Sequence, residues 1–379
     1  MSVVVTGLGT ANGFGRGAER TWTALLAGER ALSIFDQVGA ISLCPDLPRD
    51  LLGPRDRADQ LARWAAEEAL EHAKFEITPQ SAPRVGLLLG TTLGGIGHWL
   101  PKLRGDTADR HFGYGGSANV LATALGIGGP VEVPSVACAS SNVALGMGRE
   151  LIRSGRCDVV IAGGADALND FVVAGFQSLK ALDPDPCRPF DVARKGLNLG
   201  EAACFLVLES EAHARARGVS ILARFSGYGI SADAVHMTGP DRNGGGAARA
   251  MAAAIADEKI DPGSIDFVSA HGTATVFNDL MEARALEGAL GDRAHSIPVN
   301  SIKGALGHTL GAAGALEALA CVRTLETDTI APTAGHQHRD PEIPLDVVAG
   351  SARHQEVRVA LSTSSGFGGT NAAVLFTKA

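Results

Sequence analysis

Three observations predict an α/β fold built from a repeated unit. Apolar runs of strand length alternate with alanine-rich helical patterns, the order of these pieces recurs once along the 379 residues, and glycines are many while aromatics are scarce. Alternation of this kind marks a largely parallel, buried sheet, because each parallel crossover needs an intervening helix. Helical periodicity is clear over Ala58 to Lys74 and over Ala247 to Glu258. Strand runs fall at Val85 to Leu89, Val159 to Ala162, Ile265 to Ser269, Ile297 to Asn300 and Val357 to Ser362. In the first half, RWAAEEALEHAKFEITPQSAPRVGLLLGTT gives helix, lysine, a proline-bearing turn, strand and Gly-Thr; AARAMAAAIADEKIDPGSIDFVSAHGTAT repeats the series in the second. ALGIGGPVEVPSVACASSNVALGMG then runs parallel to ALGDRAHSIPVNSIKGALGHTLGAAG, each a short strand, a polar switch and a small-residue helix. The expected units are Met1 to Glu209 and Ser210 to Ala379.

Apolar residues are 45%, charged residues 20% and aromatics 5%, so Val, Leu, Ile and Ala must fill the core while 48 glycines permit close backbone approach. A net charge of −8 opposes generic nucleic-acid binding, which needs a basic surface. Six cysteines, at 44, 138, 157, 187, 204 and 321, show no CxxC or CxxH pairing, so neither a metal site nor a disulfide framework is expected. The segment MSVVVTGLGT lacks the basic region of a signal peptide, and no apolar run reaches the roughly 18 residues that span a bilayer. A cytoplasmic protein with reduced thiols and no membrane contact is the expectation.

The stretch SVACASSNVALGMG, Ser135 to Gly148, sets Cys138 among alanines, serines and glycines. A buried structural cysteine needs no such clearance, whereas a thiol that must meet another molecule does. Cys138 lies between the strand-like VEVPSV and a helix running to about Ser154, with Gly155 as its C-cap. The positive end of that helix favours a thiolate, so a lowered pKa and a nucleophilic role are expected. Cys157, Cys204 and Cys321 lie in apolar patterns and read as buried and inert; Cys44 and Cys187 read as loop cysteines near prolines.

The corresponding places of the second half hold His271 in SAHGTAT and His308 in KGALGH. A histidine at a strand end without bulky neighbours can present a ring nitrogen to a substrate. Lys303 and Glu282 stand near them in sequence and would set their tautomers and charges, while Asp279 reads as part of an exposed helix face. STSSGFGGTNAAVLF places Gly366, Phe367, Gly368 and Gly369 in a hairpin-like turn able to aim backbone N–H groups at an oxyanion.

Taken together, Cys138 in VACASS, His271 in HGTAT, Lys303 and His308 in KGALGH, and the GFGGTN turn strongly resemble the β-ketoacyl-acyl carrier protein synthases, elongating condensing enzymes of the thiolase superfamily. The likeness runs from VVVTGLGT through RPFD and LGEAA to the C-terminus. It implies a duplicated five-layered αβαβα fold, usually dimeric, and a decarboxylative Claisen condensation needing neither metal nor organic cofactor. By the same resemblance Cys138 carries the acyl chain and the N–H groups of Cys138 and Phe367 form the oxyanion hole. His271 and His308 stabilise the enolate of a malonyl thioester, Lys303 and Glu282 support them, and Phe367 gates the acyl pocket. Degradative thiolases carry a second cysteine where this chain has Gly366, Phe367 and Gly368; priming synthases pair histidine with asparagine where His308 stands; a non-catalytic chain-length factor should lack Cys138.

Ala274 replaces the family's usual Gly or Ser, and the Gly196-Leu197-Asn198 and Gly200-Glu201-Ala202 stretch resembles variants of specialised polyketide or aryl-polyene pathways. The implied partner is an acyl carrier protein, in acyl and malonyl forms, alongside a homodimer or a heterodimer with a chain-length factor. Carrier proteins are acidic, so Arg55, Arg57 and Arg63, with Arg194 and Lys195, are the candidates for a local positive docking patch. The alternative from another class is a scaffolding subunit, silent alone, which intact Cys138, His271 and His308 weigh against.

Overall fold

The computed structural model describes residues 1–35, 38–48, 57–103, 105 and 113–379. In chain order the valine-rich start forms β1 (Val3–Asn12), followed by α1 (Arg57–His72), β2 (Val85–Gly90), α2 (Gly116–Leu125), β3 (Val131–Glu132), α3 (Ser140–Arg153), β4 (Val159–Asp166), α4 (Asp170–Ser178) and β5 (Ala202–Ser210). Then come β6 (Ala223–Ala232), α5 (Gly245–Asp257), β7 (Phe267–Ser269), α6 (Val276–Leu290), β8 (Pro298–Asn300), α7 (Lys303–Leu306), α8 (Ala313–Thr327), β9 (Asp346–Val347), β10 (Val359–Gly366) and β11 (Thr370–Thr377). The strand and helix positions expected from periodicity are all present. Their ends move by a few residues, as at β7, where Ile265 lies outside the ladder.

Strand order runs β1-β5-β4-β2-β3 on one side and β6-β11-β10-β7-β8 on the other, with β9 beyond β8. The two sides meet where β1 pairs with β6 at Val4–Arg224 and Val5–Ala223. Each side has the same senses: its first three strands are antiparallel neighbours and its outer pairs are parallel. The expected largely parallel sheet therefore holds only for the outer strands. The reason is visible at β10 and β11, joined by Phe367, Gly368 and Gly369, since so short a turn can link only antiparallel strands.

Alternate side chains of these strands enter different layers. Leu87 and Leu89 pack with Leu61 and Ala65 of α1, whereas Leu88 faces Leu145 of α3. On the other side Val268 packs with Met251 of α5, while Phe267 joins the cluster holding Leu316 of α8. Helices α3 and α8 contact each other between the two sides, so five layers result: α1 and α2, sheet, α3 and α8, sheet, α5 and α6. Burial of most of the surface of this middle pair explains why their sequences are so poor in large side chains. No helix among the described residues is long and apolar enough to cross a membrane.

Candidate active site

Cys138 stands just before α3, on a turn that Ala137 makes possible by adopting φ 52°. Left-handed backbone is unusual for a residue with a Cβ, and here it is held by Ser140, whose Oγ accepts from Val136 N–H (3.0 Å) and donates to the Ala137 carbonyl (2.6 Å). The first turn of α3 lies almost on the strand ends. A Cβ at Gly90 would sit 2.5 Å from the Ser140 carbonyl carbon, one at Gly366 3.2 Å from Cys138 N, and one at Gly314 of α8 2.7 Å from the Asn142 side chain. Small residues surround the thiol because three pieces of backbone converge on it.

His308 follows the short α7, and its Nε2 lies 2.9 Å from Cys138 Sγ. His271 follows β7, its ring perpendicular to that of His308 with centroids 5.3 Å apart. Lys303 at the head of α7 places Nζ 3.2 Å from His271 Nδ1 and forms a buried ion pair with Glu317 of α8. An ammonium can only donate, so His271 Nδ1 accepts and its proton sits on Nε2. Leu310 N–H likewise donates to His308 Nδ1 (3.3 Å), leaving that ring's proton on Nε2. Both rings thus present N–H groups to the cavity.

Electrostatics agree. Burial, with Lys303 adding to it, holds both histidines well below the ordinary 6.5, so they are neutral. The expected lowering of the Cys138 pKa is reversed: burial pushes the thiol up to about 12, against opposing pulls from Lys303 and the Phe367 N–H. Desolvation outweighs the helix end because Cys138 is only 5% exposed.

Glu282 touches neither ring. Its carboxylate accepts from His271 N–H (2.6 Å), Gly272 N–H (2.8 Å) and Thr363 Oγ1 (2.7 Å), fixing the strand end from which the histidine projects. Asp279 departs from expectation: it is fully buried on α6, accepts from Phe190 N–H (2.7 Å) and Ala274 N–H (3.1 Å), and holds the turn in which Ala274 takes φ 65°. Its neighbours supply N–H donors in place of water. Phe367 caps the β10–β11 turn, stacked on Phe176 of α4 at 5.7 Å, and Phe176 also meets the His308 ring edge-on at 6.5 Å.

Cys138, His271, His308 and Phe367 line one cavity of about 400 Å³, whose rim carries exposed Lys180, Lys195 and Phe277. The sulfur and two ring nitrogens come within 4.8 Å of one another, a donor set of the kind zinc uses. The fit fails on chemistry, since both Nε2 atoms carry protons and the Lys303 ammonium would face any cation held there. The geometry is that of a nucleophile beside two hydrogen-bond donors.

Of the proposed docking residues, Arg57 is buried and paired with Glu201, and it also donates to the Pro48 carbonyl (2.6 Å). Arg194 is buried and paired with Asp340, donating to the Val276 carbonyl (3.2 Å). Neither is free for a partner, because each guanidinium is buried and spent on an internal carboxylate and on backbone carbonyls. Arg63 and Lys195 are exposed, and Arg55 lies outside the described residues. Glu317 and Phe176 were not singled out in sequence. Glu317 had a signal, a lone carboxylate in the apolar helix GAAGALEALACV; Phe176 had none.

Models of the beta-ketoacyl synthase N-terminal and C-terminal domains match residues 52–214 and 222–337. This chain belongs to the β-ketoacyl synthase family. Nodulation protein E of Rhizobium meliloti (strain 1021) is 37% identical to it over 99% of this chain and 98% of its own. Among solved structures, a type II PKS ketosynthase bound to a hexaketide and in complex with its acyl-carrier protein superposes with a TM-score of 0.92 at 30% identity, covering 100% of this chain and 99% of that one. The ishigamide ketosynthase/chain length factor gives 0.90 at 35% identity, with the same coverage. The thiolase-like fold expected from the β-ketoacyl synthase motifs is the fold observed.

Proposed function

We propose that this chain condenses an acyl group held on Cys138 with a malonyl thioester carried by an acyl carrier protein, extending the acyl chain by two carbons. The observation that carries it is Cys138 Sγ 2.9 Å from His308 Nε2, with the second neutral histidine facing it in one buried cavity. In the first half-reaction the sulfur attacks the acyl thioester carbonyl, and the N–H groups of Cys138 and Phe367 hold the tetrahedral oxyanion. The carrier thiol leaves with the proton that Cys138 gave up. In the second, the malonyl C–C bond breaks and carbon dioxide departs. The enolate oxygen accepts from His271 and His308 Nε2–H, and the carbanion attacks the acyl carbon. The Cys138 sulfur leaves as a thiolate and takes up one proton from solvent to restore the neutral thiol, and a β-ketoacyl thioester remains on the carrier. Lys303, anchored by Glu317, keeps His271 in the donating tautomer.

The carrier partner, and assembly as a homodimer or with a chain-length factor, are read by analogy with the complexes just named. Lys195 and Lys180 at the cavity rim offer positive charge to an acidic carrier, while the exposed Arg63 is paired with Glu67. The matched strand orders support units at residues 1–209 and 210–379, the first bearing the cysteine and the second the histidines. The six free cysteines support a cytoplasmic location.

The test is intact mass of wild type and Cys138→Ala after incubation with a panel of acyl-acyl carrier proteins. Wild type should gain an acyl adduct that the variant lacks, and malonyl-acyl carrier protein should discharge it with release of carbon dioxide. Absence of any Cys138-dependent adduct, with a co-purified subunit present, would overturn the reading in favour of a silent scaffold.

A further inference from the structure

The strand run VVIAGGAD ends in a carboxylate with no place in the chemistry above. Asp166, at the end of β4, is 1% exposed, and four neutral groups donate to it: Thr91 Oγ1 (2.6 Å), Thr92 N–H (2.8 Å), Leu93 N–H (3.1 Å) and Gly311 N–H (2.7 Å). A buried carboxylate is costly, and four directed donors are what make it tolerable. These donors come from two segments that lead to the two reacting side chains. Thr92 Oγ1 donates to the carbonyl of Ala137 (3.1 Å), the residue before Cys138. Gly311 stands three residues after His308 and follows Leu310, whose N–H holds the His308 ring. There is no slack in this joint, since a Cβ at Gly311 would lie 2.6 Å from Asp166 Oδ2 and 2.7 Å from Thr92 N.

We propose that Asp166 is a positioning residue that sets Cys138 and His308 at reacting distance by tying the segment after β2 to the segment after His308. Asparagine could not replace it, because its amide NH₂ would face donors. Beyond position, its charge acts on the sulfur, which also feels Lys303, Glu317 and the two neutral histidines; Asp166 disfavours the thiolate and Lys303 favours it.

The experiment uses the full chain as Asp166→Asn and Thr92→Val. Two quantities are read on folded protein: the rate of acyl transfer onto Cys138 and the pH profile of Cys138 alkylation by iodoacetamide. A displacement of about 1 Å costs up to about 100-fold in rate, so acyl transfer should slow about 10- to 100-fold in Asp166→Asn and about 3- to 10-fold in Thr92→Val. The Asp166→Asn alkylation profile should also move to lower pH, whereas Thr92→Val, which loosens the same joint but keeps the Asp166 charge, should leave it in place. Wild-type transfer with an unshifted profile in folded Asp166→Asn overturns the proposal. Should that variant not fold, wild-type transfer in Thr92→Val overturns it. The transfer arm rests on the condensing reading; the alkylation arm does not, so a wild type that never loads an acyl group condemns that reading while the profile still tests Asp166.

Discussion

Cys138 shows at the residue scale how local sequence and burial pull in opposite directions. Its place before a helix promised a thiolate, yet removal from water dominates and the resting thiol is neutral. The charge that offsets burial comes from Lys303, which also fixes the His271 tautomer. Lys303→Ala therefore has two signatures. Cys138 alkylation should move to higher pH, because a nearby cation is lost. Malonyl decarboxylation should fall by about 100-fold, within the range that positioned acid–base groups supply. Stopped alkylation assays and carbon dioxide release measure both, and an unshifted profile would remove Lys303 from the site's electrostatics. Cys138, His271, His308 and Lys303 were all legible in sequence because each stands in a short, glycine-punctuated motif. Glu317 was less so, since its partner is 14 residues away and only the packing of α8 on α7 joins them.

The elements are joined at backbone contact, and this is where glycine usage acquires meaning. Gly164 of β4 is the sharpest case: an added Cβ would lie 2.6 Å from the Gly311 carbonyl, 2.7 Å from the Gly90 carbonyl and 3.0 Å from the Ser141 Cβ. Gly164→Ala must push α3 and the segment after His308 off the strand ends, so it should destabilise by about 1–3 kcal/mol and slow acyl loading as well. Urea unfolding together with intact-mass loading checks this; a stable and active variant would show that the layers yield more than their packing suggests. Periodicity placed the helices and strands, but strand sense was not legible. The antiparallel pairing of β10 and β11 depends on a turn of three residues, while that of β5 with β1 joins segments far apart in sequence. Arg57 and Arg194 misled for a related reason, as a basic residue at a helix start or in a turn looks solvated until the carboxylates of Glu201 and Asp340 arrive from elsewhere in the chain.

For the whole molecule, buried ionisable groups shape acid stability in opposing ways. His271 and His308 are held below 6.5, so the stability they contribute is complete above that pH and is lost as pH falls toward their folded values. Glu317, raised to about 7, and Asp279, raised to about 6, act oppositely, with stability gained as pH falls through those values toward their ordinary ones near 4. Between about pH 7 and 4.5 the two sets offset. Below that the raised carboxylates are protonated in both states. Glu209, Asp191 and Asp340, held low by their folded partners, then join the histidines in losing stability. Urea titrations should show a plateau from pH 7 to about 5 and a steep fall below about 4.5. A fall centred on pH 6.5 would mean that the histidines act unopposed.

Sequence by itself determined the α/β class, the recurrence of one order of elements, the family and the four side chains at its centre. Those properties live in local periodicity and in motifs a few residues long. Only the tertiary structure decided which way the strands run, that Glu282 and Asp279 hold backbone turns, and that Glu317 anchors Lys303. It also decided that the Cys138 thiol is raised and that Asp166 joins the segments leading to Cys138 and His308. Each of these depends on desolvation or on hydrogen bonds between residues distant in the chain, and neither quantity exists until the layers close.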